Sequence, residues 1–310
     1  MDNKCIFCGN VGNLTDEHIV PEGMGGTLKI KAVCKTCNDR MGSDFEGPTI
    51  NTFLFETPRY IHGITGKRTK PPQPLRGSGT LPNGLRVRFS DTLSPYLIPS
   101  VKEERLPDGS MKLSLVLDAS DEKDIERILT KVLFRYYQEQ AAVTGTQDYK
   151  VSALEAVKQA KTWLKRGQNH EYIKMQFSVD LAAIRLTYLK IAYETCWHHF
   201  GDRYLQDRVA LRLREAINER HKEPKIHGQV PFGLDNLSRL TFSENCHSVM
   251  LILNYSYINL FGLAGVVETC EARGKFHLGQ EDGIIYHYNY VEGCVAITPL
   301  VDHLAKFQDA

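Results

Sequence analysis

Long apolar runs are missing from this 310-residue chain, which nowhere approaches the roughly eighteen consecutive apolar residues that a membrane helix requires. No membrane partner is therefore expected. The opening Met-Asp-Asn-Lys leads straight to a cysteine without a positive leader and an apolar segment, so no secretory signal is read and a cytoplasmic location is expected. There is no Walker A pattern, no dinucleotide fingerprint and no internal repeat. The net charge of +1 argues neither for nor against a polyanionic partner. One local absence is more telling. From Thr57 to Ser90 there is no Asp or Glu, while Arg59, Lys67, Arg68, Lys70, Arg76, Arg86 and Arg88 all carry positive charge. These side chains are candidate nucleic-acid-binding residues, since Lys and Arg neutralise phosphates without reading bases. The plainer alternative is a solvated loop.

What is present is ordinary for a globular chain: 42% hydrophobic and 24% charged residues, in a length that suits one large domain or two. In a reducing compartment the eight cysteines are ligands or small buried hydrophobes rather than disulfides. Cys196, Cys246, Cys270 and Cys294 lie scattered in apolar sequence and are expected in the core. Cys5/Cys8 and Cys34/Cys37 differ, forming two Cys-x2-Cys knuckles with 25 residues between them. A two-residue spacer lets both sulfurs of a knuckle face one ion, and four thiolates close a tetrahedral zinc site with no open position for chemistry. Structural Zn2+ is the cofactor expected there.

Residues 1–56 form the cysteine module, 57–90 a basic linker or DNA-contact segment, and 91–310 a larger region of unassigned role. "LRVRFS", at the end of the basic segment, and "SMKLSLVLD", in the larger region, alternate at period two and predict strands. Helices are predicted from Asp121 to Gln140, Ser152 to Lys165, Asp180 to Phe200 and Leu205 to Glu219, with "YIKMQFSV" a strand before the third. On the third, Leu181, Ile184, Tyr188, Ile191 and Thr195 line one side, and Gly201 supplies the stop. The final third, rich in β-branched and aromatic residues between turn signals, predicts an antiparallel sheet. The class is α+β.

Between the knuckles, "LTDEHIVP" and "TLKIKAVC" read as two short strands joined through Gly23, Gly25 and Gly26, with a short helix starting near Asn38. In such a strand-strand-helix finger Glu17, His18 and Asn38 are expected to converge. Strand alternation turns Asp16 to the face opposite Glu17, and both Asp16 and Asp39 are expected at the solvated surface.

With "DEHIVP", "GG" and "CKTCN" set around two knuckles, residues 5–42 resemble the HNH, or ββα-metal, endonucleases of the zinc-supported type. The resemblance implies that Glu17 is the acidic ligand of a catalytic Mg2+ or Mn2+, His18 the general base and Asn38 the helix ligand of the same ion. It further implies phosphodiester hydrolysis with DNA, more than RNA, as substrate. One family feature is missing. The middle Asn has no counterpart, since Thr27 to Val33 contains neither Asn nor His, so a main-chain carbonyl of the second strand is expected to hold the other ring nitrogen of His18. The competing reading is a zinc finger that binds nucleic acid or regulates without cutting. "RLTYLKIAYETCWHHFGDRYLQD" more weakly resembles a segment that follows the nuclease module in bacterial HNH proteins. The large region is accordingly assigned to substrate recognition, to a homo-oligomer contact, or to sensing a regulatory ligand or protein as in phage-defence effectors.

Overall fold

The computed structural model describes residues 4–107, 111–118, 120, 124–145, 148–162, 173–219 and 244–308. The chain divides into two compact units. One joins residues 1–74 to 177–310, and the other comprises 75–176. This differs from the three-part division suggested by composition. The cysteine module packs into the same core as the C-terminal half, and long-range packing of that kind leaves no local compositional mark.

In the first unit the cysteine finger opens with antiparallel strands β1 (Leu14–His18) and β2 (Lys29–Cys34), followed by helix α1 (Lys35–Met41). Helix continues through a π-helical turn (Gly42–Glu46) into α2 (Gly47–Ile50) and, after Thr52, α3 (Phe53–Ile61). Gly47-Pro48 does not break this helical run, because Pro in the first turn of α2 needs no N–H partner. Gly26 lets the β1–β2 connection pass close to β1, for a Cβ there would collide with the Val20 carbonyl.

The finger rests on a long central helix. In the second unit, described by itself, β3 (Gly79–Thr80), β4 (Arg86–Phe89) and β5 (Pro95–Leu97) form a small antiparallel sheet. Beside it in sequence are the β6 (Ser100–Arg105) and β7 (Met111–Val116) hairpin and the helices α4 (Ile125–Thr144) and α5 (Tyr149–Thr162), which bury Leu129, Leu133 and Val157 between them. The expected cap at Asp121 and the helix end at Lys165 lie outside the described residues. Of "YIKMQFSV", Tyr172 lies outside them too, and the rest makes a single bridge, Lys174 to Thr80, rather than a strand.

Back in the first unit, α6 (Leu181–Phe200) has the predicted limits: Asp180 Oδ1 accepts from the Ala183 amide, and Gly201 ends the helix. Its packing differs from the one-sided stripe expected. Every residue from Leu186 to Cys196 is buried, whereas Leu181 is exposed. The finger, α7 (Arg208–Asn218) and the C-terminal sheet surround the helix on all sides. That sheet has the order β10-β9-β8-β11-β12, with β8 Cys246–Ile252, β9 Tyr255–Leu260, β10 Leu263–Glu268, β11 Ile284–Asn289 and β12 Cys294–Pro299, all neighbours antiparallel. A last helix, α8 (Leu300–Gln308), covers Met250 and Ile285 through Leu300.

The α+β class is as read from the sequence. Of the four scattered cysteines, Cys196 and Cys270 are buried as expected, but Cys246 is half-buried and Cys294 exposed. Cys294 stands on β12, one of the two edge strands of the sheet among the described residues.

Finger and helix are joined by specific bonds. Tyr193 donates to the Ile6 carbonyl at 2.9 Å, the Thr49 and Thr187 hydroxyls lie 2.9 Å apart, and Asn218 donates to the Phe7 carbonyl at 2.9 Å. The Phe7 and Tyr193 rings pack with centroids 5.2 Å apart.

Candidate active site

The four cysteine sulfurs lie within 4.8 Å of one another. Cys34 ends β2 and Cys37 lies in the first turn of α1, so a strand-to-helix corner aims both sulfurs one way. The other knuckle is a tight turn. The Gly9 amide bonds back to the Cys5 carbonyl, Gly9 takes the left-handed conformation (φ 74°), and the Ile6 amide ties the turn to the Ala32 carbonyl of β2. Burial raises the Cys5 thiol, but hydrogen bonds from the main chain of Cys34, Cys8 and Phe7 outweigh it and bring it down to about 7. Burial, joined by the charge of Cys5, pushes Cys37 well up. Four thiols so close cannot all ionise unaided. A dication satisfies them together, and the donor set, spacing and geometry fit tetrahedral zinc.

Of the catalytic candidates, Glu17 and His18 lie on β1 and Asn38 on α1. His18 pairs in register with Lys29 and Glu17 with Ile30, after a bulge between Thr15 and Glu17. Glu17 and Ile30 are buried, while His18 is half-buried and Lys29 exposed. The alternation that sets Asp16 apart from Glu17 therefore separates His18 from Glu17 as well. The expected convergence of the three residues takes a different form. Asn38, on α1, donates through Nδ2 to Thr15 Oγ1 at 3.1 Å and to the Asp16 carbonyl at 3.3 Å, fastening the helix to β1. Glu17 turns inward, its Oε1 2.5 Å from the ammonium of Lys190 on α6.

Lys190 also contacts Glu46 Oε1 at 3.0 Å and Glu194 Oε2 at 2.9 Å, and donates to the carbonyls of His18 at 2.5 Å and Ile19 at 3.3 Å. Its ammonium and the Glu194 carboxylate have no exposed surface. Burial opposes the charge on Lys190, but Glu194, Glu46 and Glu17 outweigh it and hold the ammonium well above the usual lysine range. Burial pushes Glu46 and Glu194 up despite Lys190. Three carboxylates thus face one ammonium.

His18 is the accessible reactive group. Burial lowers the pKa of its imidazole below the ordinary value; Glu22 works against the drop, and Lys29, Lys190 and Lys67 add to it. No hydrogen bond to the ring is found among the described residues, so the expected carbonyl from the second strand does not hold it. As expected, Asp16 is exposed and Asp39 is spent on a surface pair with Lys35 at 2.7 Å.

The basic strip separates into parts. Arg59, Lys67, Arg68 and Lys70 belong to the first unit; Arg76, Arg86 and Arg88 belong to the second. Arg59 is buried on α3, where it donates to the Ile50 carbonyl at 3.1 Å, and so is not a surface for phosphate. Arg68 donates to Asn51 Oδ1 at 3.1 Å, and Arg86 to Ser78 Oγ at 3.1 Å. Lys67 is the member whose charge is felt at His18. Its side chain is 88% exposed and loosely paired with Glu22 at 3.9 Å.

Residues 5–54 match the family model of the HNH endonucleases. The finger is similar to an HNH endonuclease module. The match spans both knuckles, β1, β2 and α1. No curated protein and no solved structure matches the chain. The HNH module supports a nuclease-type function acting on nucleic acid, with a zinc site in its scaffold. Lys29, Lys190, Glu46 and Glu194 are site residues that the sequence reading missed. The available signal was Lys190 and Glu194, one helical turn apart in an otherwise apolar segment.

Proposed function

We propose that this protein is an HNH endonuclease that hydrolyses phosphodiester bonds in DNA, with His18 as general base. The observation that carries the reading is a half-exposed imidazole on the family-matched hairpin, with Lys29 beside it in register and Lys67 close enough to be felt. Neutral imidazole can take a proton from water at neutral pH, and the lowered pKa enlarges the neutral fraction. Lys29 and Lys67 would neutralise the scissile phosphate and its neighbour. Lys70 is exposed in the same unit and would extend that contact along the backbone.

The donor chemistry of Glu17 and Asn38 suits a hard cation, because each is engaged through one polar atom and retains an oxygen, Oε2 or Oδ1. Holding Mg2+ or Mn2+, which would supply charge stabilisation at the phosphate and the leaving oxygen, requires Glu17 to turn its second oxygen outward, since its carboxylate is buried against Lys190 on the face away from His18. Lys190 would orient the Glu17 carboxylate from behind. The preference for DNA follows from the HNH family.

Nicking of supercoiled plasmid, with Mg2+ or Mn2+ against a chelator control, tests the proposal; binding without any nick in either ion would sink it. That outcome would favour the second reading, a finger that binds without cutting, to which the inward-facing Glu17 and the unheld His18 ring lend weight. A pH profile adds a sharper check. Protonation of His18 removes the base, so the single-turnover rate should fall as pH drops through the His18 pKa, with the half-point below the ordinary value of about 6.5. An acid limb centred at or above that value would contradict the assignment. A salt titration tests the lysines. Replacing Lys29 and Lys67 together by alanine should flatten the plot of log affinity against log salt by about 1.8, or about 0.9 for each lost phosphate contact. An unchanged slope would remove them from the interface.

A further inference from the structure

We propose that Lys190 is a positioning residue for His18, taking the place of the motif Asn that this chain lacks; the inference rests on the nuclease reading above. Among the described residues the imidazole has no hydrogen bond to hold its ring, so the main chain that carries it fixes its position. That main chain is gripped from behind. Lys190 Nζ takes the Glu17 carboxylate at 2.5 Å, the His18 carbonyl at 2.5 Å and the Ile19 carbonyl at 3.3 Å, touching three consecutive residues of the hairpin. Glu46 and Glu194 complete the ring of oxygens and hold the ammonium to the π-helical turn and to its own helix. A lysine ammonium is a compact charge with three donors at the end of a flexible stem, able to serve several converging oxygens.

The group is fully buried, so it cannot touch a substrate. Its effect must travel through the strand. On the far side the Ile19 amide bonds to the Leu28 carbonyl at 3.1 Å, and Ile19 and Val20 have no exposed surface, so the strand is held just beyond His18 as well. The catalytic hairpin is therefore set by a residue more than 170 positions away in sequence. Displacing a base by about 1 Å can cost on the order of 100-fold in rate.

The test uses the full chain. Lys190→Met keeps the stem and removes the donors, but it strands three buried carboxylates, so it is paired with Lys190→Met/Glu46→Gln/Glu194→Gln, which removes two of those three charges and leaves only Glu17. Zinc content, melting, amide exchange at Ile19, and kcat and KM for nicking supercoiled plasmid are read together. In the triple variant, zinc and fold should be retained and Ile19 exchange should quicken by about tenfold or more. Turnover should fall on the order of 100-fold while KM moves less than about twofold. A folded triple variant with unchanged Ile19 exchange and unchanged kcat overturns the proposal, as does a rise in KM alone. If the triple variant fails to fold, Lys190→Arg is judged by the same exchange and kcat criteria, because it keeps the charge without the point-like geometry. If the wild-type protein nicks nothing, the nuclease reading fails separately, and Ile19 exchange alone decides whether Lys190 grips the strand.

Discussion

Replacing His18 by alanine is expected to lower the rate of plasmid nicking by about 100- to 10,000-fold, the range that a positioned general base contributes. The fold should not notice. The ring makes no hydrogen bond among the described residues, it is half-buried, and the contacts of this residue with α6 run through its carbonyl, which alanine retains. A substitution of that kind shifts stability by within about 0.5 kcal/mol if nothing else is lost. Zinc content and melting temperature are therefore the controls, and both should match the wild type. Glutamine at the same position would test shape against chemistry, since its amide fills similar space and cannot serve as a base at neutral pH. Equal nicking rates in wild type and His18→Ala would remove the imidazole from the chemistry altogether.

The second large effect is on the scaffold. Cys34→Ser replaces one of four thiolate donors with a poor ligand, and structural zinc sites contribute apparent binding free energies of about 10–16 kcal/mol. If one ligand in four carries about 3–4 kcal/mol of that, the melting temperature should drop by roughly 6–16 °C, with zinc content falling in parallel. The loss should spread beyond the finger. Cys5, Ile6, Phe7, Val33 and Cys37 belong to the same buried cluster as Tyr188, Tyr193 and Leu213, so loosening a knuckle loosens the packing around α6 and α7. Elemental analysis and a thermal melt check this. A variant with full zinc and unchanged melting would reject the structural role.

Local chemistry announced the finger clearly. Paired cysteines at fixed spacing, Asp-Glu-His between them and Asn38 after the last one are all read within short windows. The limits of α6 were equally legible, because Asp180 and Gly201 act on their immediate neighbours. The division of the chain was not, since the packing of residues 1–74 with 177–310 depends on contacts that leave no local pattern. The opposite facing of Glu17 and His18 was available from the alternation already applied to Asp16, but the expectation that family ligands converge prevailed over it. Arg59 shows a similar limit. A charge in an acid-free stretch reads as surface, and only the fold reveals that this residue of α3 is buried, with its guanidinium bonded to the Ile50 carbonyl. Lys190 was hidden for the converse reason, because its partners come from β1, the π-helical turn and one turn further along its own helix.

The Lys190 ring of oxygens also bears on biosynthesis. Ribosomes deliver the chain from the N-terminus at roughly 5–20 residues per second, so on the order of ten seconds separates the emergence of the finger from that of α6. During that interval Glu17 and Glu46 have no counterion to fold around. On the proposed reading, a growing polypeptide thus carries the hairpin without the cation that seats it, and the hairpin is set only after α6 has been made.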